Sequence, residues 1–204
     1  MESISKARSV IFEEFLVWPE LAALMDFVRA RERIFRQSQI VLPSDRADQS
    51  DPGYRRSRVT LQMGPFGDLV AQRILFYFPI ILRALGHPMF EIRSIEAQIT
   101  ASNDGDFFKT HNDNTHADAP SREITFVYFF HREPRPFTGG ELLIYDSRIS
   151  DGIARPGGVR RRITPKQNQV VFFPSCCLHE ILPVRCPTQA FVDSRFTLNG
   201  WVHR

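Results

Sequence analysis

Hydrophobic positions along the chain change their period near residue 90. Before it, Leu21, Leu24, Met25 and Val28 recur at the three- and four-residue spacing of one helix face, while Arg29, Arg31, Glu32 and Arg33 mark the wet face. This predicts a helix that Pro19 opens and that runs to about Phe35, preceded by a short strand at Val10-Ile11-Phe12. A second helix is predicted over 67–85, with Leu69, Ile74, Phe76, Ile80, Ile81 and Leu85 making it unusually apolar, Gly86 as its stop and Pro88 beyond. Such a helix is expected to back a sheet. A strand over 59–63 precedes it, and the polar stretch 43–57, with Pro52-Gly53 inside, reads as a surface loop ahead of a cover over a site.

Past residue 90, short apolar runs at 92–101, 123–130, 141–145, 160–164, 169–173, 179–184 and 190–201 read as strands. Breaks such as Asn103-Asp104-Gly105, 134–140 and Pro156-Gly157-Gly158 separate them. Many short strands predict a sandwich or jelly-roll barrel, and helices first with strands later puts the helices on one outer side. The expected class is mainly β with flanking α: a single domain over 1–204, with 1–89 as helical support and 90–202 as the β core.

Composition narrows the class. With 43% hydrophobic residues, 18 of the 204 being Phe, the chain has enough apolar surface to offset ordering entropy, which excludes wholesale disorder. The balance of 26 basic against 23 acidic residues, net +3, is no nucleic-acid footprint. Arg148, Arg155 and Arg160-Arg161-Arg162 lack an interleaved aromatic stripe and read as a solvated strand edge. Cys176, Cys177 and Cys186 are odd in number and without zinc spacing, which suits reduced thiols. The first six residues carry no apolar signal region, and 74–85 is too short and too interrupted, by Pro79 and Arg83, to span a bilayer. A cytoplasmic protein without membrane or nucleic-acid partners is expected, its oligomeric state open.

The chemistry sits in His111-Asn112-Asp113 and, far downstream, His179. Two imidazoles and one carboxylate hold a non-haem Fe(II) while leaving coordination positions open. In an extended strand His111 and Asp113 point to one side, and a neighbouring strand can bring His179 to them. The pair alone arises readily by chance; the wider pattern changes the odds. Gly105-Asp106-Phe107-Phe108-Lys109-Thr110 leads into the motif. Arg122-Glu123-Ile124-Thr125-Phe126-Val127-Tyr128-Phe129, Gly139-Gly140-Glu141-Leu142 and Val170-Val171-Phe172-Phe173-Pro174 follow, then His179-Glu180-Ile181-Leu182-Pro183-Val184 and Ser194-Arg195-Phe196-Thr197-Leu198-Asn199-Gly200-Trp201. In this order they resemble the prolyl-4-hydroxylase-like branch of the 2-oxoglutarate and Fe(II)-dependent dioxygenases, over about residues 90–202.

The resemblance implies a double-stranded β-helix, jelly-roll or cupin-like, with iron at one open end. His111, Asp113 and His179 would be its ligands, and Arg195 would receive the distal carboxylate of 2-oxoglutarate. A guanidinium is a rigid, always-charged fork suited to that task. Thr197, two residues on, offers a hydroxyl on the same strand face. Relatives often carry a tyrosine before the glycine-aspartate turn, where this chain has Ala101-Ser102-Asn103-Asp104-Gly105; Gln98, Asn103 or Tyr128 is the expected substitute. Fe(II), 2-oxoglutarate and O2 would be the cofactors, with ascorbate as an optional reductant, and the products succinate, CO2 and a hydroxylated C–H position. Asp113 fills the position a halide would need, which disfavours halogenation.

An amino-acid-like or other small-molecule substrate is expected ahead of a peptidyl proline, with the N-terminal helices and the 43–57 segment helping to choose. Two other classes compete: a cupin-like metalloenzyme that uses no 2-oxoglutarate, and a noncatalytic binding protein built on the same barrel. Asn114 and His116 fit a substrate entrance or an exposed loop equally well. His131 reads as a strand-exit residue, His87 as a turn residue, Cys176 and Cys177 as packing or loop residues, and Gly139-Gly140 as a tight turn, not a phosphate loop.

Overall fold

The computed structural model describes residues 3–38, 51–114, 121–150 and 153–204. Helix α1 spans Trp18–Arg29 and helix α2 spans Phe66–Leu85. Pro19 sits in the first turn of α1, and its buried residues are Leu21, Leu24, Met25 and Val28. The helix stops six residues short of Phe35, and a turn of 3-10 helix at Glu32–Ile34 follows. Gly86 closes α2 in the left-handed conformation at φ 60°, and His87 donates its backbone N–H to Leu82 O. Leu75, Phe76 and Ile80 point away from the core and are exposed, so Phe76 and Ile80 take no part in the sheet-backing face.

Two antiparallel sheets face one another. The larger runs in the order Val10–Glu13, Gln169–Pro174, Arg122–Phe130, Arg195–His203, Ser94–Ser102, Arg58–Thr60, Arg36–Gln37. The smaller runs Ser3–Ser5, Leu142–Ser150, His179–Ile181, Phe107–His111, Arg55–Arg56, with Ile153–Ile163 also paired to Leu142–Ser150. Thus residues 1–89 supply short strands to both sheets as well as the helices. Pro156-Gly157-Gly158, expected as a break, lies inside the Ile153–Ile163 strand, where register shifts absorb the irregularity. The 43–57 call falls largely outside the described residues; its described end forms a turn and the strand Arg55–Arg56. His116 lies outside them too.

Alternation along the central strands separates two environments. Ile124, Phe126, Tyr128 and Phe130 of one strand, Phe196, Leu198 and Val202 of the next, and Ile99 and Ala101 of the third pack against α1 and α2 in one continuous core. Their neighbours in sequence face the other way, as the two-residue period requires. Val127 and Phe129 meet Leu142, Ile144, Val171 and Phe173 between the sheets. Toward one end that inner space turns polar, and there it becomes the cavity described next.

Candidate metal centre and cosubstrate cavity

An open cavity lies between the sheets. Gln98, Thr100 and Ser102 line it from one strand, Arg195, Thr197, Asn199 and Trp201 from the next, and Thr125 and Val127 from a third. His111, Asp113 and His179 line it from the opposite side.

These last three converge. His111 and His179 are direct partners across antiparallel strands, with ring centroids 4.1 Å apart. His111 Nε2 lies 3.7 Å from Asp113 Oδ1 and His179 Nε2 lies 3.5 Å from Asp113 Oδ2. One ligand atom from each residue falls within 4.8 Å of the others.

Surrounding groups set the protonation state that a metal needs. His111 Nδ1 stands 2.8 Å from Lys109 O and His179 Nδ1 stands 3.0 Å from Cys177 O. A carbonyl only accepts, so each Nδ1 carries a proton, and in the neutral ring that leaves Nε2 as the atom with a lone pair for a metal. Burial, with the neighbouring His179, pushes the His111 imidazole down to about 3 against the pull of Asp113, leaving it neutral. Burial alone would raise the Asp113 carboxyl, but His179, His111 and a 2.6 Å hydrogen bond from Thr125 Oγ1 hold it below its ordinary value. The Trp201 indole N–H, buried without a hydrogen-bond partner among the described residues, lends its dipole from nearby. The site therefore offers two imidazoles and a carboxylate, the donor set that fits a ferrous ion.

Outside the metal-facing surface, Glu180 ties the ligand strands together. Its carboxylate accepts from Thr110 Oγ1 at 2.7 Å and from Tyr145 Oη at 2.6 Å. Thr110 precedes His111 and Glu180 follows His179.

Arg195 is 2% exposed and donates Nε–H to Gly140 O at 2.8 Å, with its guanidinium 5.0 Å from the Phe129 ring. Burial lowers it to about 9, which leaves it charged at neutral pH. Its Nη2 is buried without a hydrogen-bond partner among the described residues, an unmet donor facing a cavity that can receive a carboxylate. Gly140, at φ 69°, makes room for it: a Cβ there would stand 2.6 Å from Arg195 Cδ.

The other expected residues divide. Gln98 and Thr197 line the cavity. The Thr197 hydroxyl is engaged with Asn199 Oδ1 at 3.1 Å, and the same oxygen accepts from Thr100 Oγ1 at 2.8 Å. Tyr128 is a correction: it faces the helices, fully buried, and donates its hydroxyl to Asn168 Oδ1 at 2.9 Å. Two-residue alternation sends it to the opposite face from Thr125 and Val127. Asn103 is likewise engaged elsewhere, with Ala190 O and Ser194 Oγ. His87 and His131 do not line the cavity. Nothing in the sequence singles out Arg55, which does; Thr125, Asn199 and Trp201 carried a usable signal, the strand parity they share with Val127 and Arg195.

Comparison with known proteins decides the lineage. The sequence model of the 2OG-Fe(II) oxygenase superfamily matches residues 97–203. The chain belongs to this superfamily. The oxygenase is 39% identical over 153 residues to an uncharacterized PKHD-type hydroxylase of Synechocystis, a match covering 74% of this chain and half of that protein's length. Among solved structures, a Pseudomonas putida prolyl-4-hydroxylase superposes with a TM-score of 0.64 at 19% identity, over 97% of this chain and 93% of that one. A Trichoplax adhaerens prolyl hydroxylase, solved with a hypoxia inducible factor peptide fragment, gives 0.62 at 17% identity, over 96% of this chain and 83% of that one. These structures share the double-stranded β-helix with the oxygenase. The superfamily brings Fe(II), 2-oxoglutarate and O2 as cofactors, and His111, Asp113 and His179 form the metal site.

Proposed function

We propose that this oxygenase hydroxylates an unactivated C–H bond of an amino-acid-like or other small-molecule substrate, converting 2-oxoglutarate and O2 to succinate and CO2. The observation that carries the reading is the presence, in one cavity, of three convergent metal donors and a buried guanidinium with an N–H left unpartnered among the described residues. His111, Asp113 and His179 hold Fe(II), and Arg195 takes the distal carboxylate of 2-oxoglutarate. Fe(II), when bound, would supply together with 2-oxoglutarate the electrons that reduce and so activate O2. The protein's own contribution is placement. Thr125 orients Asp113, the Lys109 and Cys177 carbonyls fix the imidazole tautomers, and Phe107, Val127 and Ile181 limit water around the reacting positions.

A peptidyl prolyl substrate is the second reading, favoured by the likeness to the Trichoplax enzyme, which was solved with a peptide. No helix among the described residues is long and apolar enough to cross a membrane. The three cysteines are unpaired, which suits the reducing cytoplasm where we place the enzyme.

Anaerobic addition of Fe(II) and 2-oxoglutarate tests the core of this assignment. A visible charge-transfer band is expected, and its absence from a folded, metal-loaded protein overturns the reading. Succinate release in the presence of free amino acids, set against proline-containing peptides, separates the two substrate classes.

A further inference from the structure

The cavity holds a second guanidinium that the proposed chemistry leaves without a task. Arg55 comes from the strand Arg55–Arg56, at the edge of the smaller sheet, paired with Phe107–His111 through Arg55↔Phe108 and Arg56↔Phe107. That segment is fixed in place. Lys109 N–H donates to Tyr54 O at 2.9 Å, and the Tyr54 hydroxyl donates to Thr110 O at 3.1 Å.

The two adjacent arginines have opposite fates, as strand alternation requires. Arg56 turns outward, where Asp106 pairs with it at 2.9 Å and Asp104 O accepts from it at 2.7 Å. Arg55 turns inward and lines the cavity beside His111 and Asp113. Its guanidinium lies 4.7 Å from the centroid of Phe108, whose ring stacks on His111 at 3.5 Å. The one side-chain hydrogen bond of Arg55 among the described residues is a long one, 3.4 Å, from Nε to Ser57 Oγ. Among those residues no carboxylate lies within ion-pair distance of it, and the acid whose field reaches it is Asp113, which the metal claims.

Charge accounting gives this cation its meaning. One carboxylate of 2-oxoglutarate goes to Arg195 and the other, with its keto group, belongs at the metal. Among the described residues Arg55 then has no anion of its own, although guanidinium groups held in partly desolvated sites are ordinarily matched by one. We infer that Arg55 binds a carboxylate of the primary substrate, so that the oxygenase acts on acids: an amino acid through its α-carboxylate, or a peptide through an acidic side chain or C-terminus.

This rests on the proposed function, and one experiment separates the two. Wild-type protein loaded anaerobically with Fe(II) and 2-oxoglutarate is titrated with the common L-amino acids and their carboxamides, and with Asp- or Glu-containing proline peptides and their Asn or Gln counterparts. Perturbation of the charge-transfer band reports binding. Acids are expected to bind roughly 10–100-fold more tightly than their amides, the range of a charge-assisted contact. Arg55→Gln should erase that ratio, Arg55→Lys should restore part of it, and neither should change 2-oxoglutarate affinity by more than about twofold, the level at which a lost guanidinium contact would already show. The free amino acids and the peptides show which source supplies the carboxylate. Equal binding of acids and amides, no binding by any acid, or an Arg55→Gln variant whose 2-oxoglutarate affinity falls as in Arg195→Gln overturns the assignment of Arg55 alone. Loss of the band in wild type takes the parent reading with it.

Discussion

His111 and His179 use the same device twice: each directs Nδ1–H to the backbone carbonyl two residues before it, Lys109 O and Cys177 O, while their rings meet across the strand pair. Because the orienting acceptors are main-chain atoms, tautomer and ring direction survive changes to neighbouring side chains. The third ligand is oriented by a side chain instead, and is the more vulnerable.

Thr125→Val removes the hydroxyl that donates to Asp113 Oδ2 while preserving shape. Ferrous affinity is expected to fall roughly 10–100-fold, the usual cost of losing such an orienting contact. Competition titration with a metal-sensitive dye measures it, and an unchanged affinity would show that Asp113 is oriented without the Thr125 hydroxyl.

Arg195→Gln should weaken 2-oxoglutarate roughly 10–100-fold and leave Fe(II) binding intact, since the charge-assisted fork is lost while the triad is not. Gly140→Ala should reproduce much of this through geometry: the added methyl meets both Arg195 and Val184 Cγ2, at 2.6 and 2.9 Å, in a residue at φ 69°. Cosubstrate titration of both variants by the charge-transfer band checks the pair.

Tyr128→Phe is expected to leave 2-oxoglutarate affinity unchanged and to lower stability by about 0.5–1.5 kcal/mol through the lost bond to Asn168. Denaturant melts read the second effect. A large rise in the 2-oxoglutarate requirement would return Tyr128 to the cosubstrate site.

Metal-free protein should lose stability as pH falls from about 6.5 toward 3. His111 is held near 3 when folded and returns to its ordinary value when unfolded, so over that interval the unfolded chain binds the extra proton and is favoured. Asp113, also depressed, acts in the same direction at the acid end. Thermal melts across this range are expected to show a shallower decline for His111→Asn; parallel curves would refute the assignment.

Much of this was legible because strand parity is clean where a sheet has one polar and one apolar face. Arg195, Thr197, Asn199 and Trp201 alternate with Phe196, Leu198 and Val202, and the alternation places the first set together. The strand carrying Tyr128 gives no such signal. Ile124 through Phe130 is almost wholly apolar because both its faces are buried, one under the helices and one between the sheets, so the residues alone do not say which side Tyr128 takes. Arg55 was illegible for another reason. It reaches the cavity through a two-residue edge strand far upstream of His111, and so short a pairing leaves no periodicity to read.

The Glu180 clasp bears on which groups keep the two imidazoles in register. With Thr110 and Tyr145 both gripping that carboxylate, the two imidazole-bearing strands are buckled to one another from behind by side chains that are not themselves metal donors. The spacing of the donor atoms is thereby braced from the side of the sheet that the cavity does not occupy.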